Sequence, residues 1–112
     1  MENKEIIKIN DDWEAKWAYN QAIFYAKNAA NQDSKHILGK SYGRSYEHEE
    51  DLVEFDGIRA KLTLHTPIDE QGFRKINGHS LEIEIFGDKD EIEKVIKKFY
   101  LATGVMLDKY RI

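Results

Sequence analysis

The firmest pattern in the chain is a strict alternation of apolar and polar positions in its second half. Ile58, Ala60, Leu62 and Leu64 fall on one side of an extended segment, with Arg59, Lys61, Thr63 and His65 on the other. Ahead of it stand Leu52-Val53-Glu54-Phe55 and the dipeptide Asp56-Gly57, which accepts positive φ, so the two runs are expected to fold back as a hairpin. Pro67 ends the second run and Asp69-Glu70-Gln71-Gly72 reads as a turn. Asn77-Gly78 is expected to join a strand Phe73–Ile76 to a longer one, His79–Phe86, whose Leu81, Ile83 and Ile85 alternate with Glu82 and Glu84. Antiparallel pairing would set Arg59 and Lys61 against these glutamates, each match adding only tenths of a kcal/mol.

Two segments carry helical spacing instead. Asp11 or Asp12 is placed to cap a helix running to about Asn31, supported by Ala15, Ala18, Ala22, Ala26, Ala29 and Ala30. At about 100° per residue the alanines, Tyr19 and Ile23 share one broad face, and Trp13, Trp17 and Phe24 form a narrow stripe opposite. Only one of these sides can seat the helix on a sheet. The last helix is bounded by Asp88 and Glu91, a capping-box pair, and by Gly104, with Ile92, Val95, Ile96, Phe99 and Thr103 on its apolar row.

The remaining segments are less marked. Glu5–Ile9 is short and β-branched and reads as a first strand; residues 32–51 are polar and read as a long loop with a short element at His36–Leu38; residues 105–112 are expected to add a closing strand. The fold class is therefore α+β: a mainly antiparallel sheet of about 4–5 strands with two helices packed on one face, in a single domain spanning 1–112. The strand-then-helix order from Leu81 to Gly104 resembles the grammar of ferredoxin-like domains, an architecture that hosts many functions and implies none.

Composition narrows the function classes. At 112 residues, with 41% hydrophobic and 34% charged positions, the chain holds one core and no run suited to a bilayer. Its amino terminus lacks a signal-peptide pattern, and the chain reads as soluble and cytoplasmic, with no membrane role. The absence of cysteine removes disulfides, thiolate nucleophiles and cysteine metal sites. A net charge of −4 disfavours nucleic acid as a partner.

Signature motifs of nucleotide-binding, serine-hydrolase and zinc-protease sites are absent. The run Asp88–Glu93 only superficially resembles a calcium loop, whose glycine and terminal glutamate places hold Glu93 and Phe99. No metal site and no cofactor is expected. His48, among acidic neighbours, reads as solvated charge. His65 and His79 end and begin strands expected to be neighbours and are the candidates for acid–base work, against the plainer reading of exposed strand ends.

Binding features are better represented than catalytic ones. The stripe Trp13, Trp17 and Phe24 supplies anchors of the kind that dominate interfaces, unless it is structural filling. Tyr42, Arg44 and Tyr46, spaced by glycine and serine, have the composition of a recognition loop. The polar outer sheet face is compatible with a homodimer. The leading expectation is a non-catalytic protein-interaction module, a small regulator or inhibitor of a larger protein; a histidine-dependent enzyme on a nucleotide-like or acyl substrate comes second, and a weak nucleic-acid binder third.

Overall fold

The computed structural model describes residues 3–28, 34–42 and 48–111, and in 34–42 the backbone alone. The elements follow in the order β1 (Lys4–Ile9), α1 (Asp12–Lys27), β2 (Ser34–Tyr42), β3 (His48–Phe55), β4 (Ile58–His65), β5 (Ser80–Phe86) and α2 (Lys89–Thr103), with a closing 3-10 turn at Leu107–Tyr110. Strands β1, β5, β4 and β3 lie side by side in that order, every pair antiparallel, and the backbone of β2 runs along the outer edge of β3. The α+β class and the antiparallel sheet with two helices agree with the sequence reading. Among the described residues, no helix is long and apolar enough to cross a membrane.

Alternation decides which sheet face the helices cover. Ile7, Ile9, Val53, Phe55, Ala60, Leu62, Leu81, Ile83 and Ile85 point to one side and join a single core with Ala15, Ala18, Ala22 and Ala26 of α1 and Ile92, Val95, Ile96 and Phe99 of α2. The opposite face carries polar side chains and faces away from both helices. There Lys61 stands opposite Glu84 at 4.0 Å, with Lys4 3.7 Å from the same carboxylate. Arg59, by contrast, is paired in register with Glu54 of β3.

Local chemistry sets the boundaries. Asp56 (φ 53°) and Gly57 (φ 79°) are both left-handed, the turn whose twist matches a two-residue hairpin, and Phe55 faces Ile58 across it. Asp11 caps α1 by accepting from the Glu14 amide at 2.8 Å. Helix α1 closes at Asn28, whose backbone is extended, and the expected run to Asn31 passes outside the described residues. For α2 the capping box is complete: Asp88 accepts from the Glu91 amide at 2.8 Å and Glu91 accepts from the Asp88 amide at 3.0 Å.

Three expectations are corrected. The stretch 32–51, read as a loop, contributes β2 and the first half of β3, because pairing along β4 supplies the ladder that the polar sequence does not advertise. Phe73–Ile76 is not a strand: β5, the partner expected across Asn77-Gly78, is already paired on both sides, so this segment folds on itself, with Asp69 Oδ1 accepting from the amides of Gln71 and Phe73 and the Lys75 amide donating to the Pro67 carbonyl. The closing strand over 105–112 is a 3-10 turn. Leu107 is fully buried there, and Arg111 reaches Glu5 at 2.7 Å, Glu93 at 2.8 Å and Asp108 at 3.1 Å, a convergence that fixes the chain in a turn.

The joint between β5 and α2 tolerates no side chain. Gly87 has φ 155°, and a Cβ there would lie 2.9 Å from the Cβ of Glu91, the residue completing the capping box. Gly87→Ala is expected to destabilise the protein by more than about 1 kcal/mol, read as a lower urea midpoint at unchanged slope.

Candidate functional site

Helix α1 rests on the sheet mainly through alanines, and Trp13, Trp17 and Phe24 are turned outward. Ala15, Ala18, Ala22 and Ala26 are buried, whereas Trp13 is 64% exposed, Trp17 42% and Phe24 67%. The two indoles stack nearly parallel, with centroids 5.5 Å apart. Trp17 also has a structural duty: its Nε1 donates to the Thr103 carbonyl at 2.7 Å, occupying one of the acceptors left free at the end of α2. The sequence left open which side of α1 is buried. The structure puts the alanines inside.

Three further contacts fix the roll of α1. Asp12 Oδ1 accepts from both the backbone amide and Nδ1 of His79, each at 2.8 Å. Glu14 is held by Lys109 Nζ at 2.6 Å and by the Tyr110 hydroxyl. Tyr19 turns inward, where its hydroxyl donates to the buried Asp51 and lies 3.3 Å from Glu49, which in turn holds Arg74 at 3.0 Å. These contacts mark the ionisable groups. The His79 amide, above all, lowers the Asp12 carboxyl to about 2. The Lys109 ammonium and then the Tyr110 hydroxyl lower Glu14, while burial and the Asp51 carboxylate push the Tyr19 hydroxyl up.

Beside the ridge, the end of α2 offers an apolar hollow of about 390 Å³ lined by Ile96, Tyr100, Leu101, Met106 and Leu107. Leu101 (71% exposed) and Met106 (56%) form its open rim. Exposed Ile76 lies near the start of α1, its carbonyl accepting from Lys16 Nζ at 3.2 Å. The helix-bearing side of the molecule thus presents more uncovered aromatic and aliphatic surface than scattered single residues would.

The histidines are distributed differently from the sequence expectation. His79 points to the helix side and is engaged by Asp12, whereas His65 points to the outer sheet face, so the two are not brought together. His65 instead meets His48, its register partner on β3, with the Nδ1 atoms 3.3 Å apart and ring centroids 4.7 Å apart. His48 is therefore one half of a cross-strand pair and not isolated solvated charge. Around the pair lies a cavity of about 260 Å³ lined also by Lys8, Thr63, Ser80 and Glu82. Thr66, the residue after His65, is buried. Two imidazoles at this separation can share one proton or direct two lone pairs at one cation.

Of the recognition-loop candidates, Tyr42 closes β2 with its backbone opposite His48, and Arg44 and Tyr46 lie outside the described residues. Among the described residues, no group of three His, Cys, Asp or Glu side chains is placed to hold a metal.

Two measurements probe this arrangement. Trp17→Phe keeps the ring but removes the donor to Thr103, and is expected to cost about 1 kcal/mol in urea unfolding; Trp13→Ala, which loses only stacking, costs about 1 kcal/mol or less. The depressed Asp12 carboxyl contributes stability that is fully present above its ordinary value of 3.8 and is lost as pH falls through about 2. Asp12→Asn therefore flattens the acid limb of a stability-versus-pH curve in that window, leaving the neutral limb's shape unchanged. Compared with protein-family models, characterised proteins and solved structures, the chain matches none.

Proposed function

We propose that this chain is a protein-interaction module that seats the α1 ridge in an apolar groove of a larger protein and acts as its regulator or inhibitor. The observation that carries the reading is the outward presentation of Trp13, Trp17 and Phe24 on one stripe of a helix whose other side is fully committed to the core. Their spacing, one helical turn and then two more, is that of anchors on a helix laid into a groove. Trp13 and Phe24 are mostly exposed in the free protein, so burying them releases free energy on binding that the free protein has not already used.

Charge supports the choice of groove. The nearest flanks of the stripe include Asn20, Gln21, Lys27 and Asn28, neutral or cationic, in a chain whose net charge is −4. The helix's own carboxylates, Asp12 and Glu14, are occupied within the chain. A partner groove with an apolar floor and an acidic or neutral rim complements this surface. The hollow at the end of α2 extends the same side of the molecule. Tyr42, Arg44 and Tyr46 belong to the proposal on composition alone.

The test compares tagged wild type with the Trp13→Ala/Phe24→Ala variant, both purified from the native host, with folding checked by circular dichroism. Trp17 is left intact because it also ties down α2. The expected outcome is one stoichiometric partner with the wild type, lost from the variant, and a blue shift of tryptophan emission when the purified pair is recombined. Equal recovery by both proteins, no stoichiometric partner, or a self-associated complex in light scattering overturns the reading.

A further inference from the structure

On the outer sheet face, away from the α1 ridge, we infer that His48 and His65 form a two-imidazole site for a divalent transition-metal ion, open to solvent on its remaining coordination positions. The proposal is independent of the docking function.

The separation of the two rings is the first support. Imidazole nitrogens bound to one tetrahedral metal at about 2.0–2.1 Å must lie about 3.3–3.4 Å from one another. The Nδ1 atoms of His48 and His65 are 3.3 Å apart. The same distance is long for an N–H···N hydrogen bond, which is the other way two such nitrogens face each other, and with both rings neutral only one of them can donate. A metal uses both lone pairs at once and leaves each Nε2–H free for water.

The surroundings supply the second support. The pair opens into the cavity that also contains Glu82, Thr63 and Ser80. Thr63 is flanked in register by Glu50 on β3 and Glu82 on β5, which gives this part of the outer face carboxylates on both neighbouring strands. Lys8, the one cation among the cavity's described lining, is the register partner of Glu82 on β5. Hard cations are not served by such a site, because calcium and magnesium require several oxygen ligands. Nitrogen donors select copper, nickel or zinc, with copper bound most tightly. Because the protein provides two ligands and waters complete the sphere, the ion is exchangeable and keeps positions at which an outside ligand can bind.

The site is also rigid where it needs to be. Both histidines sit on regular strands held by an unbroken ladder from His48 opposite His65 to Phe55 opposite Ile58. Binding therefore orders little more than the two side chains, and bridging the strands ties the far end of the hairpin.

The test titrates the full chain with Cu²⁺ and with Zn²⁺ at neutral pH by calorimetry, and records the electron paramagnetic resonance of the copper form. One ion per chain is expected, copper tighter than zinc, with hyperfine structure from two imidazole nitrogens. His48→Ala and His65→Ala each weaken copper binding by about tenfold or more and reduce the hyperfine pattern to one nitrogen. His36→Ala, at the β2 position opposite Val53, leaves affinity unchanged and controls for binding by histidine in general. Both imidazole substitutions lie on the outer face, and circular dichroism confirms the fold. Failure to bind copper at one per chain, or equal affinity in wild type, His48→Ala and His65→Ala, overturns the proposal.

Discussion

The seating of α1 on the sheet is the constraint from which the rest of the molecule's surface follows. Alanine at four of the five buried positions of α1 lets the helix axis approach the strands closely, and a close axis leaves no room beneath it for an indole. Tyr19 is the large side chain of α1 that is buried on that side, and it is accommodated because its hydroxyl has Asp51 to donate to. Asp12 at the first turn, Glu14 beside the 3-10 turn and Trp17 at the end of α2 then fix the rotation of the helix about its axis. The aromatic stripe is exposed as a consequence of this geometry, since any roll that buried Trp13 and Phe24 would break these contacts and lift the alanines away from the sheet.

The polar strands show the same dominance of pairing over propensity. His48-Glu49-Glu50-Asp51 has no apolar alternation and little β preference, yet it continues β3 without interruption. What holds it there is the ladder to β4 on one side, together with specific partners for the inward carboxylates: Arg74 for Glu49 and the Tyr19 hydroxyl for Asp51. An acidic run in isolation is a solvated segment. Given a neighbouring strand and donors from elsewhere in the chain, residues 48–51 become part of the sheet, and no local rule applied to those residues carries that information. The closing residues make the complementary point. Val105–Ile112 has the composition of a strand, but Leu107 is drawn into the core and Arg111 is claimed by three carboxylates from separate elements, so long-range contacts override the local preference.

Elements whose determinants are neighbours in sequence were legible. The capping box of Asp88 and Glu91, the apolar row Ile92–Val95–Ile96–Phe99, the alternation of β4 and β5 and the Asp56-Gly57 turn depend on residues a few positions apart, and all are found as read. Phe73–Ile76 is not a strand because a tight turn beside apolar residues signals a hairpin only if the strand it leads into has a free edge, and β5 lies between β1 and β4. For the candidate site, the wheel of α1 correctly separated alanines from aromatics but gave no means of choosing the buried side; hydrophobicity alone favours neither, and the decision rests on Asp12, Glu14 and Trp17 finding partners 67, 95 and 86 residues away.

The histidine pair was within reach of sequence reasoning, and the reason it was missed is instructive. A two-residue turn without a bulge fixes every pairing beyond it: Phe55 faces Ile58, Val53 faces Ala60, and each further step outward adds the next pair. Continued to the last residue of β4, the rule sets His48 against His65, and because the count of steps from the turn pair is odd and equal on both strands, the two imidazoles share the face opposite to that of Phe55 and Ile58. The inference fails in the sequence solely because the apolar signal of β3 stops at Leu52, which invites the reader to end the strand there. Once pairing is allowed to run as far as β4 does, the acidic tract is carried into the sheet, and the imidazole that looked isolated in it acquires a partner. The same hairpin thus delivers Val53 and Phe55 to the core beneath the helices and the two imidazoles to the opposite face, which separates the aromatic stripe of α1 from the histidine pair by the thickness of the sheet.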